Sequence, residues 1–140
     1  MVKKGQTTTQ HPTLFVTQID VQLPNRVSAP AAARQALGDL ESRMPPEVFQ
    51  DMILLANELV TNSIRHSGIA PEASVGIKVA LSGTAVRVEV ADEGCGFDAE
   101  GKKPHPDQTS GWGLHLIKEL ADRWGNESGD RCVVWFEINC

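Results

Sequence analysis

The chain has 140 residues, with 13 basic against 18 acidic side chains and a formal charge of −5. That length suits one domain with its own core, and the acidic balance offers no general attraction to nucleic acid or to an anionic membrane. Its three cysteines, Cys95, Cys132 and Cys140, show no paired spacing, so they read as reduced thiols of a cytoplasmic protein rather than as a disulfide framework or a zinc site.

Residues 1–12 are polar, Thr-rich and closed by a proline, a composition that reads as a flexible tail, which leaves 13–140 as the single domain. No apolar stretch follows the basic residues of this start, so neither secretion nor membrane anchoring is expected. "TLFVTQIDVQLP" carries Leu14 and Val16, then Ile19, Val21 and Leu23 in alternation, and reads as a strand stopped by Pro24. "SAPAAARQALGDLESRM" reads as one helix, with Ser28 as cap, Pro30 in the first turn and an apolar stripe through Ala33, Leu37 and Leu40. A longer helix is expected from Pro45 or Pro46 to about His66, because Phe49, Met52, Ile53, Ala56, Leu59, Val60 and Ile64 recur at helical spacing. Two strands follow, about 73–81 and 85–92, joined by "SGT". The stretch 98–110 has no periodicity and reads as a functional or mobile loop. "GWGLHLIKELADRWG" is expected to be a helix with Leu114, Ile117 and Leu120 inward and Gly125 as its close, before a last strand, "CVVWFEI".

Three stretches carry chemistry. In "NELVTNSIRH", Glu58 and Asn62 stand four residues apart and share a helix face. An amide oxygen one turn from a carboxylate suits a hard cation such as Mg²⁺ and leaves the carboxylate for proton transfer, although the same pair describes an ordinary solvated face. His66 continues that face and, without partner ligands at zinc spacing, reads as a helix-end residue. In "ADEGCGFDAE", Asp92 at a strand exit suits an exocyclic amine. Gly94 and Gly96 let backbone lie against a flat ring, where a hairpin would need only one such glycine. The alternative there is a glycine-rich loop beside a solvated Asp92. In "SGWGLHLI", Gly111 and Gly113 open a helix whose N-terminal N–H groups favour phosphate, or simply mark a glycine-rich entry capped by Ser110. Lys102 and Lys103, in the loop before it, add charge to a phosphate pocket or keep the loop solvated.

In this order the motifs resemble those of the GHKL or Bergerat-type ATPases, the superfamily of gyrase, the mismatch-repair and heat-shock ATPases and the histidine kinases. "NELVTN", "DEGCGF" and "GWGLHLI" stand where its asparagine-bearing and two glycine-rich motifs would be, over about Arg26 to Ile138. Length, together with "ELVTNSIRHS" and "LADRWG", narrows the resemblance to stand-alone anti-sigma-factor serine/threonine kinases; a histidine-kinase fragment would need a phosphoacceptor domain on another chain. The resemblance implies an α+β fold, a two-layer sandwich with helices on one face of a mixed, mostly antiparallel sheet. It implies ATP and Mg²⁺ as cofactors, with Glu58 as general base and Asn62 on the metal. Asp92 would hold the adenine amine over Gly94 and Gly96, and Gly111, Gly113 and Leu114 would contact phosphate. Arg65 and His66 match the basic end of the first motif without a defined role. The implied partners are a small anti-sigma antagonist carrying the acceptor Ser or Thr and a sigma factor. The resemblance admits a homodimer. One departure stands out: Cys132 and Val133 take the place of a threonine common near the adenine on the last strand, and neither replaces its hydrogen bond well. A nucleotide-sensing regulator without turnover is therefore the alternative to a kinase.

Overall fold

A computed structural model describes residues 14–24, 28–66, 74–92, 109–127 and 131–140, with side chains left out at 65, 66 and 109–114. Strand β1 spans Val16–Pro24, helix α1 Ala29–Leu37, helix α2 Pro46–His66, strands β2 and β3 Ser74–Leu81 and Ala85–Asp92, helix α3 Thr109–Leu120, and strands β4 and β5 Arg123–Glu127 and Cys132–Asn139. The strands form one five-stranded sheet in the order β1-β2-β3-β5-β4. Every described pairing is antiparallel, so the expected mixed sheet has no parallel component among the described residues.

Side-chain alternation divides the sheet into two faces. Leu23, Val75, Ile77, Val79, Val86, Val88, Val90, Phe136 and Ile138 lie on one, and they pack with Ala33 and Leu37 of α1, Met52, Leu55, Ala56, Leu59 and Val60 of α2, and Ile117 of α3 in one buried cluster. This is the two-layer α+β arrangement. On α2 the buried positions recur three and four residues apart, which commits one stripe of a 21-residue helix to the sheet. Pro46 opens that helix where its missing N–H costs nothing, and the Pro45 carbonyl accepts from Phe49 N–H at 3.0 Å.

The phase slip between Val16 and Ile19 is a bulge. Thr17 pairs with Ala80 and Ile19 with Val79, leaving Gln18 as the extra residue and keeping both apolar sets on one face. The amide Nε2 of Gln18 donates to the Val16 carbonyl at 3.1 Å, and its Oε1 accepts from Arg43 Nη1 at 3.2 Å.

Two expectations are corrected. The first helix does not run unbroken to Met44: α-helical bonding stops at Leu37, and Gly38–Arg43 continues as a 3₁₀ helix that still buries Leu40. A glycine at the junction weakens the wider helix, which gives way to the tighter turn. Ser28 also makes no side-chain cap; its carbonyl accepts from Ala32 N–H at 3.1 Å instead. The second correction concerns "DRWG". Rather than the close of a helix, Arg123–Glu127 is the edge strand β4. Tertiary pairing overrides local pattern here: Asp122 N–H donates to the Glu137 carbonyl at 2.8 Å, and Asn139 N–H donates to the Asp122 carboxylate at 2.7 Å. Gly125 is required for space, since a Cβ there would come within 2.9 Å of the Trp135 indole.

The β2–β3 turn is held by Ser82, whose Oγ accepts from Thr84 N–H at 3.1 Å and Ala85 N–H at 3.0 Å. Among the described residues, no helix is long and apolar enough to cross a membrane.

Candidate functional site

Helix α2 contacts both β3 and α3, so it is the common neighbour of the other two motif-bearing elements. Glu58 and Asn62 lie one turn apart on α2, both half-buried, between the fully sequestered Leu55, Leu59 and Val60 and the solvated side of the helix. That partial burial follows from sequence: polar residues at the border of an apolar stripe are held by the helix but still reached by solvent.

Asp92 is the last residue of β3, in the middle of the sheet, paired with Val75 on one side and Cys132 on the other. Its position is set by period two. Val86, Val88 and Val90 face the helices, and the next residue on that face is Asp92, where the apolar run stops. Its Oδ1 is sealed from solvent, while the residue takes part in an interaction of its own. A carboxylate at the end of a buried strand face is the right group to accept from an exocyclic amine.

Gly111, Gly113 and Leu114 fall in the first half of α3. Their backbone is helical, and the helix begins at Thr109, so Gly111 sits in the first turn, where N–H groups lack intrahelical acceptors, and Gly113 stands just past it. Gly94 and Gly96 lie outside the described residues, as do Lys102 and Lys103 and most of the 98–110 loop; so does the side chain of His66.

The structure changes the reading of β5. Cys132 faces Asp92 directly, whereas Val133 pairs with Ala91 and lies on the opposite face. Only Cys132 therefore stands in the place assigned to the missing threonine. It is buried and disulfide-bonded rather than a reduced thiol, which corrects the expectation for this cysteine and removes its S–H as a donor. Cys140 is free, and burial pushes its thiol above the ordinary cysteine value.

No cluster of three or more His, Cys, Asp or Glu side chains able to hold a metal occurs among the described residues. The donor chemistry fits Mg²⁺ carried by a triphosphate, which keeps water and phosphate oxygens and needs one or two protein oxygens of the kind the Asn62 amide carries. An apolar groove of about 340 Å³ between α1 and α2, lined by Phe49, Ile53 and Leu54 with Arg34 and Asn57 at its border, contains none of the residues singled out above.

The family model described as the histidine kinase-like ATPase domain matches residues 23–136. The chain belongs to that family. All three motif stretches and strands β2, β3 and β4 fall within the match, together with the last two residues of β1 and β5 as far as Phe136. Among solved structures, Acinetobacter baumannii histidine kinase AdeS is similar with a TM-score of 0.51 and 15% sequence identity, over 89% of this chain and 68% of that one. At that identity the likeness concerns the fold, and it supports the histidine kinase-like ATPase architecture. No curated protein matches the chain. Family membership makes this an ATP-binding domain of regulatory kinase type.

Proposed function

We propose that this histidine kinase-like ATPase domain is a Mg-ATP-dependent serine/threonine protein kinase that modifies a small anti-sigma antagonist and so sets the availability of a sigma factor. The observation that carries the reading is that α2, bearing Glu58 and Asn62, packs on both the strand that ends in Asp92 and the helix that opens with Gly111 and Gly113. Metal, base, purine and phosphate functions then fall on adjoining elements.

Bound Mg-ATP would supply the transferable phosphoryl group and neutralise its charge. The chain positions and removes a proton. Asn62 would hold the metal through its amide oxygen, and the Asp92 carboxylate would accept from the adenine amine. The N–H groups of the first turn of α3 favour phosphate oxygens. Glu58, half-buried one turn from Asn62, takes the proton from the acceptor hydroxyl as its oxygen becomes nucleophilic.

The test mixes the protein with its genomically adjacent antagonist-like protein and Mg-ATP and follows phosphoserine or phosphothreonine by mass spectrometry. Glu58→Ala is expected to slow transfer by roughly 10²–10⁴ while nucleotide binding is retained. Asn62→Ala is expected to lose Mg-dependent binding. Transfer by both variants at the wild-type rate sinks the proposal. A second reading, a nucleotide-sensing regulator without turnover, is favoured by Cys132, which offers no thiol donor at the position facing Asp92. Tight nucleotide binding with no phosphate on any partner would select it.

A further inference from the structure

Arg34, in the last turn of α1, donates from Nη1 to the Asn57 amide oxygen at 2.9 Å. That partner is neutral, so the guanidinium charge stays uncompensated and most of its N–H donors remain available. The ion pairs among the described residues join Arg87 and Arg123 to Glu89 and Glu137, and none includes Arg34. The α1–α2 groove that it borders, about 340 Å³, is lined by Phe49 and Ile53, half-buried against the core, and by Leu54, which is 41% exposed. A site for a free small molecule encloses most of its ligand, whereas here Arg34, Gln50 and Leu54 are exposed, so the groove suits a side chain offered by a larger surface. An apolar patch with an unpaired guanidinium at its rim calls for an apolar side chain flanked by a carboxylate. The chain's formal charge of −5 repels an acidic partner as a whole, and a local guanidinium then decides where it settles.

We propose that the α1–α2 groove docks the phosphoacceptor protein, which lays an apolar side chain over Phe49, Ile53 and Leu54 and sets a carboxylate against Arg34. The inference rests on the reading of Glu58 as the base of a protein kinase. Leu54 and Glu58 stand four residues apart on α2, one above the other and about 6 Å apart along the axis, and Asn57 immediately precedes Glu58. A protein seated on Leu54 therefore holds its neighbouring hydroxyl one helical turn from the base. Helical spacing also puts Glu47, Asp51 and Glu58 in a row on the side of Leu54 away from α1. That acidic row turns the partner's carboxylate toward Arg34 and so fixes the direction in which it docks.

The experiment uses the full chain, Mg-ATP and the genomically adjacent antagonist-like protein. It measures KM and kcat for phosphate incorporation, affinity for a fluorescent adenine nucleotide, and complex formation by light scattering. Arg34→Glu and Leu54→Asp are each expected to raise KM for the protein about tenfold or more, with kcat and nucleotide affinity unchanged. The Arg34→Glu effect should shrink as salt is raised, and exchange of one acidic residue of the antagonist for lysine should reverse it. Both positions are exposed, and if one variant fails to fold the other carries the test. Unchanged KM in both overturns the docking proposal and leaves the kinase reading standing. A wild-type dimer that the variants dissociate, with KM unchanged, overturns it in favour of a second copy as the occupant. A complex that needs Arg34 and Leu54 but gains no phosphate keeps the groove and overturns the kinase reading instead. Neither complex nor transfer with the wild type overturns both.

Discussion

The two faces of the sheet are stabilised by different physics. The face under the helices is a continuous apolar layer in which Val79, Val86, Val88 and Phe136 have no solvent exposure. The open face is a charged ladder. Glu137 accepts from Arg87 Nη1 at 2.7 Å and from Arg123 Nε at 2.6 Å, while Arg87 Nε also donates to Glu89 at 3.0 Å. Arg123 Nη2 donates to Asn139 Oδ1 at 2.6 Å, and the Arg87 guanidinium stands 4.2 Å from the Trp135 ring centroid. The contrast separates stabilisation by burial from coverage by paired charge. Burial on one side drives folding, and on the other side alternating charges cover the sheet without needing a second layer.

The comparison breaks first at Phe136. Phe136→Ala should cost about 3–5 kcal/mol in denaturant unfolding, because it removes a fully buried ring between sheet and helices. Gly125→Ala is the sharpest probe of the open face. The new Cβ would press on Trp135, which Arg87 flanks, and a loss of about 1–3 kcal/mol is expected by the same measurement. Glu137→Gln removes the charge shared by two arginines; about 1 kcal/mol is expected, shrinking as salt is raised from 0.05 to about 1 M. A loss as large as that of Phe136→Ala would show that the ladder is structural after all. Leu54→Ser, at a 41%-exposed position on α2, should stay within about 0.5 kcal/mol. A larger loss there would mean that the α1–α2 groove contributes to the core.

The same contrast explains what could be read from the sequence. Periodicity is written by burial, so α2, β2, β3 and β5 were legible to within a residue or two, and so was the shared helix face of Glu58 and Asn62, although not its half-buried border position. β4 was not, because Arg123, Gly125 and Glu127 face the charged side and only Trp124 and Asn126 alternate with them. With no apolar stripe to betray it, the segment read as the tail of a helix. The break in the first helix was hidden for another reason: Leu40 stays buried in either helix type, so its spacing reports the core and not the hydrogen-bond pattern. Asp92 was legible as the point where a valine alternation stops, but its neighbour across the ladder was not. Strand order is a property of the whole chain, and nothing local in "RCVVWF" says that Cys132 rather than Val133 shares its face.

The bulge at Gln18 gives β1 a spare residue. Because Thr17 and Ile19 take successive partners on β2, shortening the chain by one amino acid at that point would leave every other side chain pointing where it does now. The same deletion at Val21 would turn one end of the strand inside out. The outer strand of this domain thus holds a single position at which length can drift between descendants without disturbing the layer beneath it.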